Sequence, residues 1–205
     1  MEYKVNEIFY SLQGEGRNAG VAAVFIRLSG CNLRCQFCDT EWTKRETMDV
    51  QKIIERVYEA CGDNPLPSLC VITGCEPTLQ LEQELIDAIH VTGMAVAIET
   101  NGTHPVPEDV DFVTVSPKTP YEGDVAAKVV VKECDEVKVI MTENISVETI
   151  REFERTIKAD YYYIQPCDYG YIEPNKKVMQ RAVEFVKYHP NWRLSLQQQK
   201  ILNVR

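Results

Sequence analysis

Apolar and polar positions along the chain switch repeatedly between a strand-like and a helix-like period. Ala22–Leu28 (AAVFIRL) is a nearly continuous apolar run, the pattern of a strand covered on both faces. Over Val50–Cys61 the spacing brings Val50, Ile53, Ile54, Val57 and Tyr58 onto one helical face, with Thr47 as the expected N-cap. Residues 69–73 predict a second strand. Leu81, Leu85, Ile86 and Ile89 mark the next helix, and Gly93 stands where a C-cap belongs. Further strands are predicted over 95–99, Phe112–Val115 and 137–141, the last followed by a helix over about 146–158. Residues 161–165 precede a helix over about 175–188 that Pro190 ends, and 192–196 predict a final strand.

This order of strand and helix implies a parallel sheet with helices outside it. About six such units are too few for an eight-fold barrel, so the pattern points to an α/β fold of the partial, open (β/α)6 type. A doubly wound sheet is the other arrangement that the periodicity permits. No repeat, low-complexity tract or linker divides the chain, and residues 1–205 read as one domain. In either arrangement ligands bind at the C-terminal ends of the strands.

Charge and composition narrow the function. The 22 Lys and Arg against 31 Asp and Glu give a net charge of −9, which argues against a nucleic-acid partner. No apolar run approaches the ~18 residues of a membrane span, and Met1-Glu2-Tyr3-Lys4 lacks the layout of a secretory signal. A soluble, cytoplasmic protein without a membrane partner is expected. Its eight cysteines then belong to a reducing compartment, where disulfides are rare.

The cysteines are unevenly spread. Cys31, Cys35 and Cys38 follow the first apolar strand in CxxxCxxC spacing, within Gly30-Cys31-Asn32-Leu33-Arg34-Cys35-Gln36-Phe37-Cys38-Asp39-Thr40. Three thiolates can ligate three irons of a cubane and leave the fourth iron open to a substrate or cofactor. The alternative is a structural zinc site, which calls for a closed set of four ligands. The histidines, His90, His104 and His189, are all distant in sequence. Cys61 and Cys70 lie in apolar patterns and read as small buried hydrophobes, Cys134 has no evident partner, and Cys167 falls near the strand-end site.

CxxxCxxC with an aromatic residue, Phe37, before the last cysteine resembles the signature of the radical S-adenosylmethionine (SAM) enzymes. The resemblance implies a [4Fe-4S] cluster on Cys31, Cys35 and Cys38 whose open iron is chelated by SAM. It also implies reductive cleavage of SAM to a 5′-deoxyadenosyl radical, with the protein positioning the reactants. Thr73-Gly74-Cys75-Glu76-Pro77 is similar to the family's Gly-Gly-Glu-Pro loop, with Cys75 in place of the second glycine. A positive φ at that position would cost a cysteine about 1 kcal/mol. Glu99-Thr100-Asn101-Gly102, Ser116-Pro117-Lys118 and Gln165-Pro166-Cys167-Asp168 end later strands and resemble the family's remaining SAM-facing turns. The implied SAM contacts are Phe37, Cys38, Asp39, Cys75, Glu76, Ser116, Pro117, Lys118, Gln165, Pro166, Cys167 and Asp168.

Two segments are more specific. Tyr10-Ser11-Leu12-Gln13-Gly14-Glu15-Gly16 and Cys38-Asp39-Thr40 closely resemble the 7-carboxy-7-deazaguanine synthases of queuosine and 7-deazapurine biosynthesis. That resemblance implies ring contraction of 6-carboxy-5,6,7,8-tetrahydropterin to 7-carboxy-7-deazaguanine with release of ammonia. On the residues themselves, Arg27 can hold a carboxylate with a bidentate fork or serve an ordinary ion pair. The Leu12-Gln13-Gly14 segment can read the edge of a flat heterocycle, glycine permitting close approach. By resemblance Leu12, Gln13, Gly14, Arg27 and Thr73 contact the pterin, and the Thr40 hydroxyl is a ligand of Mg²⁺. Without the family, Thr40 reads as a turn-stabilising hydroxyl. The resemblance further implies a homodimer and an electron donor such as flavodoxin or ferredoxin.

The C-terminal segment departs from the family pattern Ser-Leu-Gln-Thr-His-Lys, reading Ser195-Leu196-Gln197-Gln198-Gln199-Lys200. Two other functions suit the cysteine motif: a radical SAM glycyl-radical activase acting on a partner protein, and a non-enzymatic iron–sulfur module. The anionic small-molecule signature of Asp39-Thr40 and the Gln13 segment favours the synthase over the first. The ordered strand-end turns favour it over the second.

Overall fold

A computed structural model describes residues 1–40, 45–118 and 128–205. The strands are β1 (Glu2–Leu12), β2 (Ala22–Leu28), β3 (Glu46–Asp49), β4 (Leu69–Gly74), β5 (Ala95–Thr100), β6 (Phe112–Val115), β7 (Glu133–Met141), β8 (Lys158–Pro166) and β9 (Trp192–Leu194). The helices are α1 (Val50–Cys61), α2 (Gln83–Val91), α3 (Val147–Thr156), α4 (Ile172–Tyr188) and the short α5 (Gln198–Leu202). The described strands form one sheet in the order β3-β1-β2-β4-β5-β6-β7-β8-β9. From β2 through β9 every neighbouring pair is parallel, whereas β1 pairs antiparallel with both β2 and β3. The sheet is therefore mixed and open, not closed into a barrel, as the count of strand–helix units requires.

Alternation along β7 shows how the sheet separates its faces. Val137, Val139 and Met141 are buried in a core with Ile150 of α3 and Val178, Ala182 and Phe185 of α4. Lys138 and Ile140, one position out of phase, border a cavity on the opposite face. A second core joins β1, β2, β4 and β5 to Ile53, Val57 and Cys61 of α1 and to Leu85, Ile86 and Ile89 of α2. Helices thus cover one face, and the other holds the cavity above a smaller apolar floor of Phe9, Ala23, Phe25, Val71 and Ala97.

The structure corrects several expectations. The N-cap of α1 is Asp49, which accepts the Lys52 N–H at 2.8 Å, because Thr47 lies within β3 opposite Lys4. Tyr58 is exposed, and Cys61 takes its place on the buried stripe, spaced at i, i+4, i+8 from Ile53. Leu81 is buried but precedes α2. Strands β7 and β8 and helix α4 begin three or four residues earlier than their apolar residues suggest, and β9 stops at Leu194. Strands β1 and β3 and helix α5 were not expected. No helix among the described residues is long and apolar enough to cross a membrane.

Candidate active site

At the C-terminal ends of the parallel strands lies a cavity of about 380 Å³. It gathers nearly all the residues that the sequence singled out. Cys31, Cys35, Phe37, Cys38, Asp39 and Thr40 border it from the loop after β2. Leu12, Gln13 and Gly14 border it from the end of β1 and the turn after it, and Arg27 and Thr73 from the ends of β2 and β4. Cys75, Ser116 and Lys118 complete the wall from the turns after β4 and β6, and Gln165, Pro166, Cys167 and Asp168 from the end of β8 and the turn after it.

Two expected residues are not brought to the cavity. Glu76 is fully buried, and its carboxylate is occupied by donors of the protein itself. Oε1 accepts the Thr78 N–H, the Thr78 hydroxyl and the Thr100 hydroxyl, and Oε2 accepts the Asn101 N–H. These bonds hold the carboxylate between the turn after β4 and the end of β5. Pro117 is buried behind Ser116 and Lys118, which face the cavity on either side of it.

Cys75 is free of the strain considered for it. The left-handed backbone falls on Gly74, at φ +139°, and Asp109 and Asn203 are the positive-φ residues other than glycine among those described. Gly74 is also where space is short: a Cβ there would lie 2.1 Å from the Leu28 carbonyl oxygen. Cys75 N–H donates to that same carbonyl at 3.2 Å, which ties the two strand ends together.

The donor set of the cysteine loop fits an iron–sulfur cluster. Its three thiols border one cavity, and the Leu33 backbone N–H donates to Cys31 Sγ at 3.3 Å, a bond that favours thiolate. Burial outweighs that bond in the protein alone and pushes the Cys31 thiol up. Among the described residues no three His, Cys, Asp or Glu side chains are gathered to hold a single metal ion. Lys118 lies over the Phe37 ring, 6.0 Å from its centre, and donates to Ser116 Oγ at 2.6 Å. Burial pulls its ammonium pKa down, against the opposing pull of Cys35.

Arg27 serves both readings of its sequence. Its Nε lies 3.0 Å from Glu7 Oε1, an ion pair, while Nη1 reaches Thr40 Oγ1 at 3.3 Å and the side chain borders the cavity. The Thr40 hydroxyl therefore accepts a bond from Arg27. Phe9 and Phe25 stack beneath, with ring centres 4.9 Å apart, and Arg205 lies over Phe9 and pairs with Glu7.

Sequence reasoning missed the polar centre of the floor. Lys138, with 3% of its side chain exposed, lies 2.6 Å from Glu15 Oε2 and 3.1 Å from Glu99 Oε2. Burial disfavours both charges, but the pair overrides it: Lys138 holds the Glu15 carboxyl well below its usual range, and the glutamates hold Lys138 above its own. The available signal was a lysine alternating with valines in Val137-Lys138-Val139, which puts a charge on the inner face of a buried strand. Lys200, in the C-terminal segment, lies 2.7 Å from Asp168 and 3.3 Å from Asp39, spanning the cysteine loop and the end of β8.

Residues 25–122 match the radical SAM superfamily. Over their full lengths, the chain is 42% identical across 207 residues to a 7-carboxy-7-deazaguanine synthase of Bacteroides thetaiotaomicron. It is 37% identical across 221 residues to that of Burkholderia multivorans, again over the whole of both chains. Among solved structures it resembles QueE from Escherichia coli, with a TM-score of 0.79 and 29% identity, covering 97% of this chain and 95% of that one.

Proposed function

We infer, from a chain that belongs to the 7-carboxy-7-deazaguanine synthase family of radical SAM enzymes, that its cavity contracts the ring of 6-carboxy-5,6,7,8-tetrahydropterin. The products are 7-carboxy-7-deazaguanine and ammonia, and the enzyme is a lyase of queuosine and 7-deazapurine biosynthesis. One observation carries this reading to the chain's own residues. The cysteine loop, the Leu12-Gln13-Gly14 segment and Arg27 face the same 380 Å³ space, within the size range of small-molecule sites.

The [4Fe-4S] cluster and SAM, when bound, supply a group that removes a hydrogen atom from the substrate. Cys31, Cys35 and Cys38 hold the cluster, with the Leu33 N–H supporting the Cys31 thiolate. Ser116, Lys118, Gln165, Pro166, Cys167 and Asp168, facing Phe37, Cys38, Asp39 and Cys75, form the wall that takes SAM. Glu76 acts at one remove, fixing Thr100 and Asn101. Arg27 holds the substrate carboxylate, its guanidinium already oriented by Glu7 and Thr40. Thr40 offers Mg²⁺ one oxygen, with substrate and water as the natural source of the rest. Leu12, Gln13, Gly14 and Thr73 bound the heterocycle. A homodimer reduced by a flavodoxin or ferredoxin belongs to the same reading. Full-length similarity to the synthases leaves the activase and the non-enzymatic module without support.

Electron paramagnetic resonance of the reconstituted, reduced protein tests the site. SAM should change the spectrum of the wild type. Each of Cys31→Ala, Cys35→Ala and Cys38→Ala should abolish the [4Fe-4S] signal, whereas a full signal retained in any one would remove that residue from the ligand set.

A further inference from the structure

Four parts of the fold meet at one buried cation. The Lys138 ammonium, carried on β7, bonds Glu15 Oε2 at 2.6 Å and Glu99 Oε2 at 3.1 Å. Each carboxylate then reaches onward. Glu99 Oε1 accepts Gln13 Nε2 at 2.9 Å, while Gln13 Oε1 accepts the Glu15 N–H at 3.1 Å, so both ends of the Gln13 amide are fixed. Glu15 Oε1 accepts Nε2 of Gln197 and Nε2 of Gln199, each at 3.0 Å. Neither glutamine can be turned over, because its amide oxygen would then face the carboxylate.

The glutamines come from the segment where this chain departs from its family's pattern, Gln199 standing in the place of histidine. Gly14 leaves the room: a Cβ there would lie 1.8 Å from Gln199 Oε1, and the Gly14 carbonyl accepts the Gln198 N–H at 3.0 Å. The C-terminal segment is thus seated on the Gln13-Gly14-Glu15 segment through Glu15. A buried ion pair is a poor way to gain stability, since apolar side chains of similar volume commonly do as well or better. Its presence at the floor of the cavity calls for another role.

We propose that Lys138 is a positioning residue for the substrate. By pairing with Glu99 and Glu15, it fixes the Gln13 amide and seats the C-terminal segment beside the heterocycle. This rests on the function inferred above. Among the described residues, four titratable groups face the Lys138 ammonium: Glu15, Glu99, the buried Glu136 and Lys118. Without Lys138, burial works unopposed by that cation to raise the Glu15 carboxyl. A protonated Glu15 loses the charge that draws in Gln197 and Gln199.

The test compares Lys138→Met, Lys138→Arg and the double variant Lys138→Met/Glu15→Gln with the wild type, all reconstituted. KM for 6-carboxytetrahydropterin is measured between about pH 6 and pH 9, with the Kd for SAM alongside. Lys138→Met should raise KM about tenfold, more at low pH than at high pH, with SAM affinity held within about twofold. The wild-type KM should vary little over this range, and Lys138→Arg should behave likewise. The double variant, which removes one uncompensated carboxylate, should be flat but still raised. Amide hydrogen exchange provides an arm that needs no turnover: residues 12–16 and 197–200 should exchange faster in Lys138→Met, with the cysteine loop unchanged. An unchanged KM and exchange pattern, or equal losses of substrate and SAM affinity at every pH, would overturn the proposal. A wild type that binds SAM but does not turn over the pterin would instead count against the functional reading, with the exchange arm still deciding on Lys138.

Discussion

Glu76 Oε2 accepts the Asn101 backbone N–H at 2.7 Å, joining the turn after β4 to the end of β5 beneath the cavity. The same carboxylate takes the Thr100 hydroxyl at 2.6 Å. Glu76→Ala would leave buried donors unsatisfied, and the loss should reach about 3 kcal/mol or more in urea unfolding. Glu76→Gln, which keeps the shape, should lose less. A Glu76→Ala protein of wild-type stability would refute this structural role.

Gly74 and Cys75 make opposite predictions although they are neighbours. Gly74→Ala forces a Cβ against the Leu28 carbonyl and holds alanine at φ +139°, so it should fold poorly. Cys75→Gly restores the family glycine where no positive φ is required. Its SAM affinity, measured anaerobically by calorimetry, should stay within about twofold of the wild type.

The order of strands and helices followed from apolar periodicity, and the strand-end turns bearing Ser116, Lys118 and Gln165 could be placed on one face from it. Strand β1 escaped because Asn6, Glu7 and Ser11 interrupt its apolar alternation, and its pairing with β2 shifts register between Val5 and Glu7. Glu76 was legible as a motif residue, but two of its partners, Thr100 and Asn101, lie about 25 positions away and only the fold reveals that they occupy it. Lys138 joins Glu15 to Glu99 across 123 and 39 positions, a relation that no local pattern encodes.

Alkaline pH should destabilise the fold through its buried thiols. Burial pushes the Cys134 thiol up to about 12 and raises Cys70 as well. Both stay protonated in the folded state while the unfolded chain ionises from about pH 8.5. Folded protein then binds more protons than unfolded, and stability falls as pH rises, by up to about 1.4 kcal/mol per pH unit for each thiol. Urea unfolding under reducing conditions should show a shallower decline in Cys70→Ala.

Lys200 ties Asp39 to Asp168 across the cavity mouth. Its hydrogen bond, with those from the Gly170 N–H and Asn175, brings the Asp168 carboxyl down to about 2. The associated stabilisation is present above about pH 4 and is lost as pH falls toward 2. The pair is partly exposed, so Lys200→Ala should cost no more than about 1 kcal/mol of stability. KM for SAM should rise a few-fold, and high salt should narrow the gap between variant and wild type.

Anaerobic turnover is the direct test of the central assignment. Reconstituted protein is given 6-carboxy-5,6,7,8-tetrahydropterin, SAM, reductant and Mg²⁺, and 7-carboxy-7-deazaguanine is followed by mass. Product that forms with the wild type and disappears in Cys35→Ala is the expected result. Cleavage of SAM to 5′-deoxyadenosine with no deazaguanine would contradict the substrate assignment while leaving the radical chemistry in place.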